Sequence, residues 1–130
     1  MAAKRILIID DDVDFIESTR VVLETKGYEV FSAQNKQEGL KEIKSISPNL
    51  IILDVMMDKM SDGFELAREF KADAKHKNIP ILMLTAVGAK TGFKFSAVGG
   101  DNAWLPVDDY CEKPIEPKKL IEKVEKLLLE

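Results

Sequence analysis

The chain has 130 residues, a formal net charge of −4 and a single cysteine, Cys111. That length fits one domain with one core, the acidic balance argues against a nucleic-acid surface, and one cysteine excludes an internal disulfide and a cysteine-rich zinc site. Residues 1–5 lack the apolar stretch of a signal peptide, and no apolar run is long enough to span a membrane. We therefore expect a cytoplasmic protein that binds neither nucleic acid nor a membrane.

The first predicted elements are a strand, a helix and a second strand. Ile6–Ile9 is a continuous apolar run, which is typical of a strand buried on both faces of a parallel sheet. Apolar residues from Val13 to Leu23, Val21 included, recur at rough helical spacing, and Gly27 is a plausible stop for this helix. Tyr28–Ala33 is predicted as the second strand.

The middle of the chain repeats this alternation. Asn35 is predicted to cap a helix that runs to about Ser47. Leu50–Leu53 is predicted as the third strand. Asp62 is predicted to cap the next helix, because Glu65 follows three residues later as in a capping box.

The last third contains two further strands and a helix. Ile79–Leu84 and a short segment at Tyr110–Cys111 are predicted as strands. Pro117 suits the first position of a final helix, in which apolar residues recur with helical period and lysines, Lys123 among them, form a solvated face. Residues 87–107 are rich in glycine and lack helical period, so the fourth helix is expected to be irregular or replaced by a loop.

Alternating strands and helices predict an α/β fold with a doubly wound parallel sheet and helices on both faces. Asp10, Asp11 and Asp54 end the first and third strands, so their side chains should converge at one edge of this sheet. Three neighbouring carboxylates repel one another, which favours a hard cation such as Mg²⁺ among them. The alternative is that the acids cap a helix, and Asp12 alone would suffice for that.

Two further polar residues follow strands at the same predicted edge. Lys113 comes after the fifth strand, and an ammonium beside the acids could neutralise a bound phosphoryl group. Thr85 ends the fourth strand, where its hydroxyl could bind a phosphoryl oxygen. Taken alone, Lys113 would be interpreted as a surface lysine beside a turn and Thr85 as a common capping or turn residue.

The order and strand context of these motifs resemble the receiver domain of two-component response regulators. The matching segments are Ile6–Asp12, Leu50–Met57, Asp62–Gly63, Leu84–Ala86 and Asp109–Ile115. The resemblance extends over essentially all of residues 1–130 and implies a single receiver domain with the flavodoxin-like strand order 2-1-3-4-5. It also implies a signalling domain that is not an enzyme beyond its own phosphoryl transfer and autodephosphorylation.

The resemblance implies a role for each matching residue. Asp54 would accept a phosphoryl group from a histidine kinase or a phosphotransfer protein. Asp10, Asp11, Asp54 and the backbone carbonyl of Met56 would hold Mg²⁺. The phosphoryl oxygens would be bound by Thr85 and Lys113.

The same resemblance implies a conformational switch. Thr85 would move toward the phosphoryl group, and Tyr110 would turn into the space that it leaves. This change would alter a protein-interaction face for a downstream protein that the sequence does not identify. Tyr110 is otherwise a strand aromatic packed on a helix.

The chain departs from the family pattern at several positions. Asp58 replaces the usual proline, and Asp62 comes one residue late. Thr85 and Lys113 are 28 positions apart, several more than is usual. The altered loop after Asp54 mildly favours an alternative, a pseudo-receiver that binds partners without being phosphorylated.

Positions next to the site bear on dephosphorylation. Met56 and Val87, two residues after Asp54 and Thr85, are both apolar. Neither side chain could orient an attacking water, so we expect slow autodephosphorylation.

Overall fold

The computed structural model describes residues 3–54, 60–86, 108–113 and 115–129. Their core is a five-stranded parallel sheet in the order β2-β1-β3-β4-β5, which confirms the expected topology. The strands are β1 (Arg5–Ile9), β2 (Glu29–Ala33), β3 (Leu50–Asp54), β4 (Ile81–Ala86) and β5 (Asp109–Lys113).

Four described helices cover the two faces of the sheet. They are α1 (Val13–Thr25), α2 (Lys36–Ile46), α3 (Met60–Ala72) and the C-terminal helix (Pro117–Leu129). Buried residues of α2 and α3 pack against one face, and those of α1 and the C-terminal helix pack against the other. Successive strand side chains point to opposite faces, so each of β1 to β4 contributes to both clusters, and Cys111 of β5 belongs to the second.

The adjacent strands β1 and β3 carry the apolar runs that the sequence predicted to be buried. Residues 6–9 of β1 and 50–53 of β3 are completely excluded from solvent, as are residues 81–84 of β4. Burying one such aliphatic side chain contributes about 1.5–3 kcal/mol to folding, so these three strands contribute much of the hydrophobic stabilisation. The carboxyl ends of β1 and β3 therefore extend from fully buried segments of the sheet.

The inward face of α1 differs from the predicted one. Ile16, Thr19 and Leu23 are buried, whereas Val21 is 66% exposed and Val13 is 48% exposed. Residues three and four positions apart share a helix face, which places Thr19 between the two buried aliphatic residues. A buried polar residue inside this stripe is what obscured the period.

The caps of the next two helices had different outcomes. Asn35 caps α2 as predicted, since its Oδ1 accepts a 2.9 Å hydrogen bond from the amide of Glu38. The predicted cap at Asp62 is wrong, because α3 begins at Met60 and Asp62 lies inside its first turn. An acid is also favoured there by the positive end of the helix dipole, so the same residue pattern fits both positions.

The fourth strand begins two residues later than predicted, at Ile81. Pro80 has no amide hydrogen to donate, and the carbonyl of Ile79 accepts from a lysine side chain on α3. The expectations for Met56, Asp58 and residues 87–107 lie outside the described residues. Within the described ranges, no helix is both long and apolar enough to cross a bilayer.

Candidate functional site

Three carboxylates converge at the carboxyl edge of the adjacent strands β1 and β3. Asp10 directly follows β1, Asp54 ends β3, and the preceding residues Ile9 and Leu53 are paired in the sheet register. One carboxylate oxygen from each of Asp10, Asp11 and Asp54 lies within 4.8 Å of the other two. The sequence-based expectation that these acids meet is therefore confirmed.

The backbone around Asp10 holds its carboxylate in place. Its amide donates to the carbonyl of Ala33 at the end of β2, at 3.0 Å. Its Oδ1 accepts from the amide of Asp12 at 2.9 Å. Asp10 and Asp54 are 0% and 3% exposed, whereas Asp11 is exposed. The site thus has two buried acids and one that faces solvent.

Asp12, the third acid of the triplet, caps α1. Its side chain accepts from the amide of Phe15 at 3.2 Å, and its carbonyl accepts the first intrahelical bond, from Ile16, at 3.0 Å. Capping by a short acidic side chain satisfies an amide that has no partner within the helix. The helix-capping alternative is therefore correct for Asp12 and leaves Asp10 and Asp11 in the cluster.

The donor set fits a hard divalent cation. Two unit charges 4.8 Å apart repel by roughly 3.5 kcal/mol at an effective dielectric constant of about 20. A cation bound among the three carboxylates would offset this repulsion. Mg²⁺ prefers oxygen ligands and retains several of its waters, which suits a cluster that is open to solvent on the Asp11 side.

The backbones of the other predicted site residues lie on β4 and β5. Leu84 pairs with Asp54, so Thr85 is one position beyond the row of the buried acid. Ala86 pairs with Lys113, and Met83 pairs with Tyr110. Thr85 and Lys113 therefore reach the same edge of the sheet as the carboxylates, and Tyr110 lies lower on β5.

The sequence did not reveal how β5 is attached. Lys71 of α3 binds Asp108 at 2.9 Å, and Lys123 of the C-terminal helix binds Asp109 at 3.1 Å. Lys123 therefore pairs with the sheet instead of lying only on a solvated face. Since 37 positions separate Lys71 from Asp108, no local pattern signals this pair.

Comparison with known proteins gives a consistent assignment. The family of the response regulator receiver domain matches residues 6–125. The phosphate regulon transcriptional regulatory protein PhoB of Pseudomonas aeruginosa is 39% identical over 128 residues, which are 98% of this chain and 53% of that protein. The alkaline phosphatase synthesis transcriptional regulatory protein PhoP of Bacillus subtilis is 35% identical over 96% of this chain and 48% of its own length. The chain thus spans about half the length of these relatives.

Two solved structures share the fold over nearly their whole length. A putative response regulator from Chloroflexus aurantiacus superposes with a TM-score of 0.84 at 35% identity, covering 99% of this chain and 100% of that one. Chemotaxis protein CheY4 of Vibrio cholerae gives a TM-score of 0.83 at 25% identity, with 97% and 99% coverage. Together with the convergent acids at the sheet edge, these matches show that the chain belongs to the response regulator receiver domain family.

Proposed function

We propose that this chain is one phosphoacceptor domain, cytoplasmic in location, in which Asp54 receives a phosphoryl group from a phosphohistidine of a kinase or phosphotransfer protein. The observation that carries the proposal is the group of three carboxylates within 4.8 Å of one another, two of them buried on adjacent strand ends. Family membership supports the assignment of Asp54, because Asp54 alone of the three ends the third strand.

The proposed reaction is an in-line displacement at phosphorus. A carboxylate oxygen of Asp54 forms the new P–O bond while the P–N bond to the donor imidazole breaks, and that nitrogen keeps the electron pair. The other ring nitrogen of the phosphohistidine carries a proton, so the products are an aspartyl phosphate, which is a mixed anhydride, and a neutral histidine. Such transfers depend mainly on positioning and on neutralising charge, and β3 supplies the positioning by holding Asp54 within the hydrophobic sheet.

The surrounding residues would neutralise and bind charge. Asp10, Asp11, Asp54 and the carbonyl of Met56 would hold Mg²⁺, which when bound offsets the negative charge of the acids and of the incoming phosphoryl oxygens. Lys113 would contribute a second positive charge at the end of β5. The hydroxyl of Thr85 would donate to a phosphoryl oxygen.

The consequence of phosphorylation would be a change in which partner the domain binds. New contacts from Thr85 to the phosphoryl group favour one of two conformers, and Tyr110 would follow Thr85. The partners are then a phosphodonor protein and a downstream protein that binds one conformer better than the other. The chain would signal and would not turn over a diffusible substrate.

Labelling with a small phosphodonor tests the proposal directly. The chain is incubated with acetyl phosphate in the presence and absence of Mg²⁺, and intact mass is followed over time. We expect one added phosphoryl group, dependent on Mg²⁺, and none in Asp54→Asn. Asp11→Asn should label far more slowly at the same Mg²⁺ concentration, because it removes a proposed metal ligand.

Asp12→Asn is the matched control. It removes a neighbouring carboxylate but retains an oxygen that can cap α1, so it should label like the unmodified protein. Failure of the unmodified protein to label, with no response to a beryllofluoride mimic, would contradict the proposal and favour the pseudo-receiver alternative. Labelling that persists in Asp54→Asn would show that another residue is the acceptor.

Once formed, the aspartyl phosphate should hydrolyse slowly. The residues two positions after Asp54 and Thr85 are Met56 and Val87, neither of which can hydrogen-bond an attacking water. The purified phosphoprotein in Mg²⁺ should therefore keep its added mass for minutes or longer. Met56→Gln or Val87→Glu should shorten this lifetime, whereas a half-life of seconds in the unmodified protein would contradict the reasoning.

A further inference from the structure

We propose that two ion pairs at the start of β5, Lys71–Asp108 and Lys123–Asp109, act together as a register clamp that positions the phosphoryl-binding residues of β4 and β5. The inference rests on the proposed function, since it concerns the placement of Thr85 relative to Lys113. Lys71 and Asp108 would be positioning residues, as would Lys123 and Asp109, and none of them would touch the phosphoryl group.

Among the described residues, the features that fix the register of β5 besides the two ion pairs are its ladder with β4 and a single buried side chain. The strand lies at an edge of the sheet and pairs only with β4. Its sequence, residues 109–113, is mostly polar, and Cys111 is the buried hydrophobic residue among its described side chains. Register is weakly specified in polar strands, and the 21 residues from 87 to 107 are too many to impose it through chain length.

The first half of the clamp is a network around Asp108. Its amide donates to the carbonyl of Ile81 at 3.0 Å, and its Oδ2 accepts from the amide of Ile81 at 2.8 Å. The same Oδ2 accepts from Lys71 Nζ at 2.9 Å. Asp108 thus hydrogen-bonds the first residue of β4 through both its backbone and its side chain, and its carboxylate also binds Lys71 of α3.

The ammonium of Lys71 uses each of its three hydrogens in this network. Besides Asp108, it donates to the carbonyls of Ile79 at 3.0 Å and Lys77 at 3.3 Å. An ammonium has three donors and no acceptor, so the turn before β4, the start of β5 and the end of α3 share one cation. The side chain of Lys71 is only 22% exposed, which limits screening by solvent.

The second half of the clamp lies on the other face. Asp109 is adjacent to Asp108, and neighbouring residues of a strand point to opposite faces. Its Oδ2 lies 3.1 Å from Lys123 Nζ on the C-terminal helix, which covers the face opposite to α3. Each of two consecutive acids therefore binds a lysine from a different helical layer.

This arrangement specifies one register because a slip would break both pairs. Sliding β5 by one residue would move each Cα by about 3.3 Å and exchange the faces of Asp108 and Asp109. In the observed register Thr85 pairs with Glu112 and Ala86 with Lys113. The clamp thus sets, from the opposite end of the strands, where Lys113 stands relative to Asp54.

The double variant K71M/K123M tests the clamp. K36M is the matched control, because Lys36 of α2 forms ion pairs with Glu65 and Glu69 of α3, at 2.9 and 3.9 Å, so it removes a lysine that joins two helices. Each protein is labelled with acetyl phosphate at a temperature where circular dichroism shows it folded, and Mg²⁺ affinity is measured by calorimetry. Hydrogen exchange reports the amides of β5.

We expect K71M/K123M to label roughly 10- to 100-fold more slowly than the unmodified protein, the loss typical of a catalytic group displaced by about 1 Å. Mg²⁺ affinity should be unchanged, because Asp10 and Asp11 follow β1 and Asp54 ends β3, away from both ion pairs. Amides of β5 should exchange at least tenfold faster, while those of β1 and β3 do not. K36M should match the unmodified protein in all three measurements.

Several results would overturn the clamp. These are unchanged labelling in a folded double variant, a parallel loss of Mg²⁺ affinity, or unchanged exchange in β5. If the unmodified protein itself does not label, the proposed function fails, and exchange in β5 alone then decides the clamp. If the double variant does not fold, Asp108→Asn, which keeps an acceptor for Ile81 but weakens the pair with Lys71, is measured in its place.

Discussion

Replacing Asp12 by alanine separates the capping acid from the two acids of the cluster. The variant loses one exposed hydrogen bond, 3.2 Å long, from the amide of Phe15. Asp14 in the first turn still interacts favourably with the positive end of the helix dipole. Loss of an N-cap costs about 1 kcal/mol of unfolding free energy. The entropy of unfolding at 130 residues is about 0.27 kcal/mol per kelvin, so the melting temperature should fall by about 4 °C.

Thermal unfolding by circular dichroism measures this shift, and Asp12→Asn should recover most of it because asparagine caps as well as aspartate. The labelling rate with acetyl phosphate, measured well below the melting temperature, should be unchanged in both variants. An unaltered melting temperature in Asp12→Ala would refute the assignment of the cap. A labelling rate as low as that of Asp11→Asn would refute the division of roles within the triplet.

Two other predictions concern packing and protonation. Gly39→Ala should gain up to about 1 kcal/mol of helix propensity but place a Cβ 2.9 Å from Cδ1 of the fully buried Ile9, at a cost of about 1–3 kcal/mol. Urea unfolding should therefore show a net decrease in the free energy of unfolding. In the Ile9→Val background, where Cδ1 is absent, the same substitution should increase it. A decrease of the same size in both backgrounds would contradict the contact. Burial raises the pKa of the Cys111 thiol to about 11, opposed by Lys123 and assisted by Asp109. The rate at which a thiol reagent labels Cys111 should rise about tenfold per pH unit from pH 7 to 10. The contribution of this thiol to the free energy of unfolding should be constant below about pH 9 and should decline from there to about pH 11, because the thiol ionises at lower pH in the unfolded chain than in the folded one. A pH-independent labelling rate would contradict this.

Much of this fold follows from local patterns. The apolar runs of β1 and β3 are uninterrupted, because both faces of these strands are covered by helices. A strand that is buried on both faces can be predicted from its continuous apolar run. The polar residues that follow the run then indicate the edge of the sheet where a site can form. The grouping of Asp10, Asp11 and Asp54 could therefore be predicted from the sequence.

The errors occurred where local chemistry is ambiguous. An acid near a helix start can be a cap or a first-turn residue, and Asp62 proved to be the latter. In α1, Thr19 takes the inward position between Ile16 and Leu23, whereas Val21, five positions after Ile16, lies on the exposed side. The pattern of apolar residues alone therefore did not identify the inward face of this helix.

The carboxylate cluster can thus be predicted almost entirely from the sequence, because its members follow or end strands whose apolar sequences indicate that they are buried. The placement of β5 is different. This strand is mostly polar, and lysines from two helices bind residues at its start. Lys71 of α3 binds Asp108 from one face of the sheet, and Lys123 of the C-terminal helix binds Asp109 from the other. Long-range pairs of this kind exist only once the helices have packed, so the tertiary structure alone shows how Lys113 is placed at the carboxylate edge, two positions beyond the row that Asp54 shares with Leu84 and Cys111.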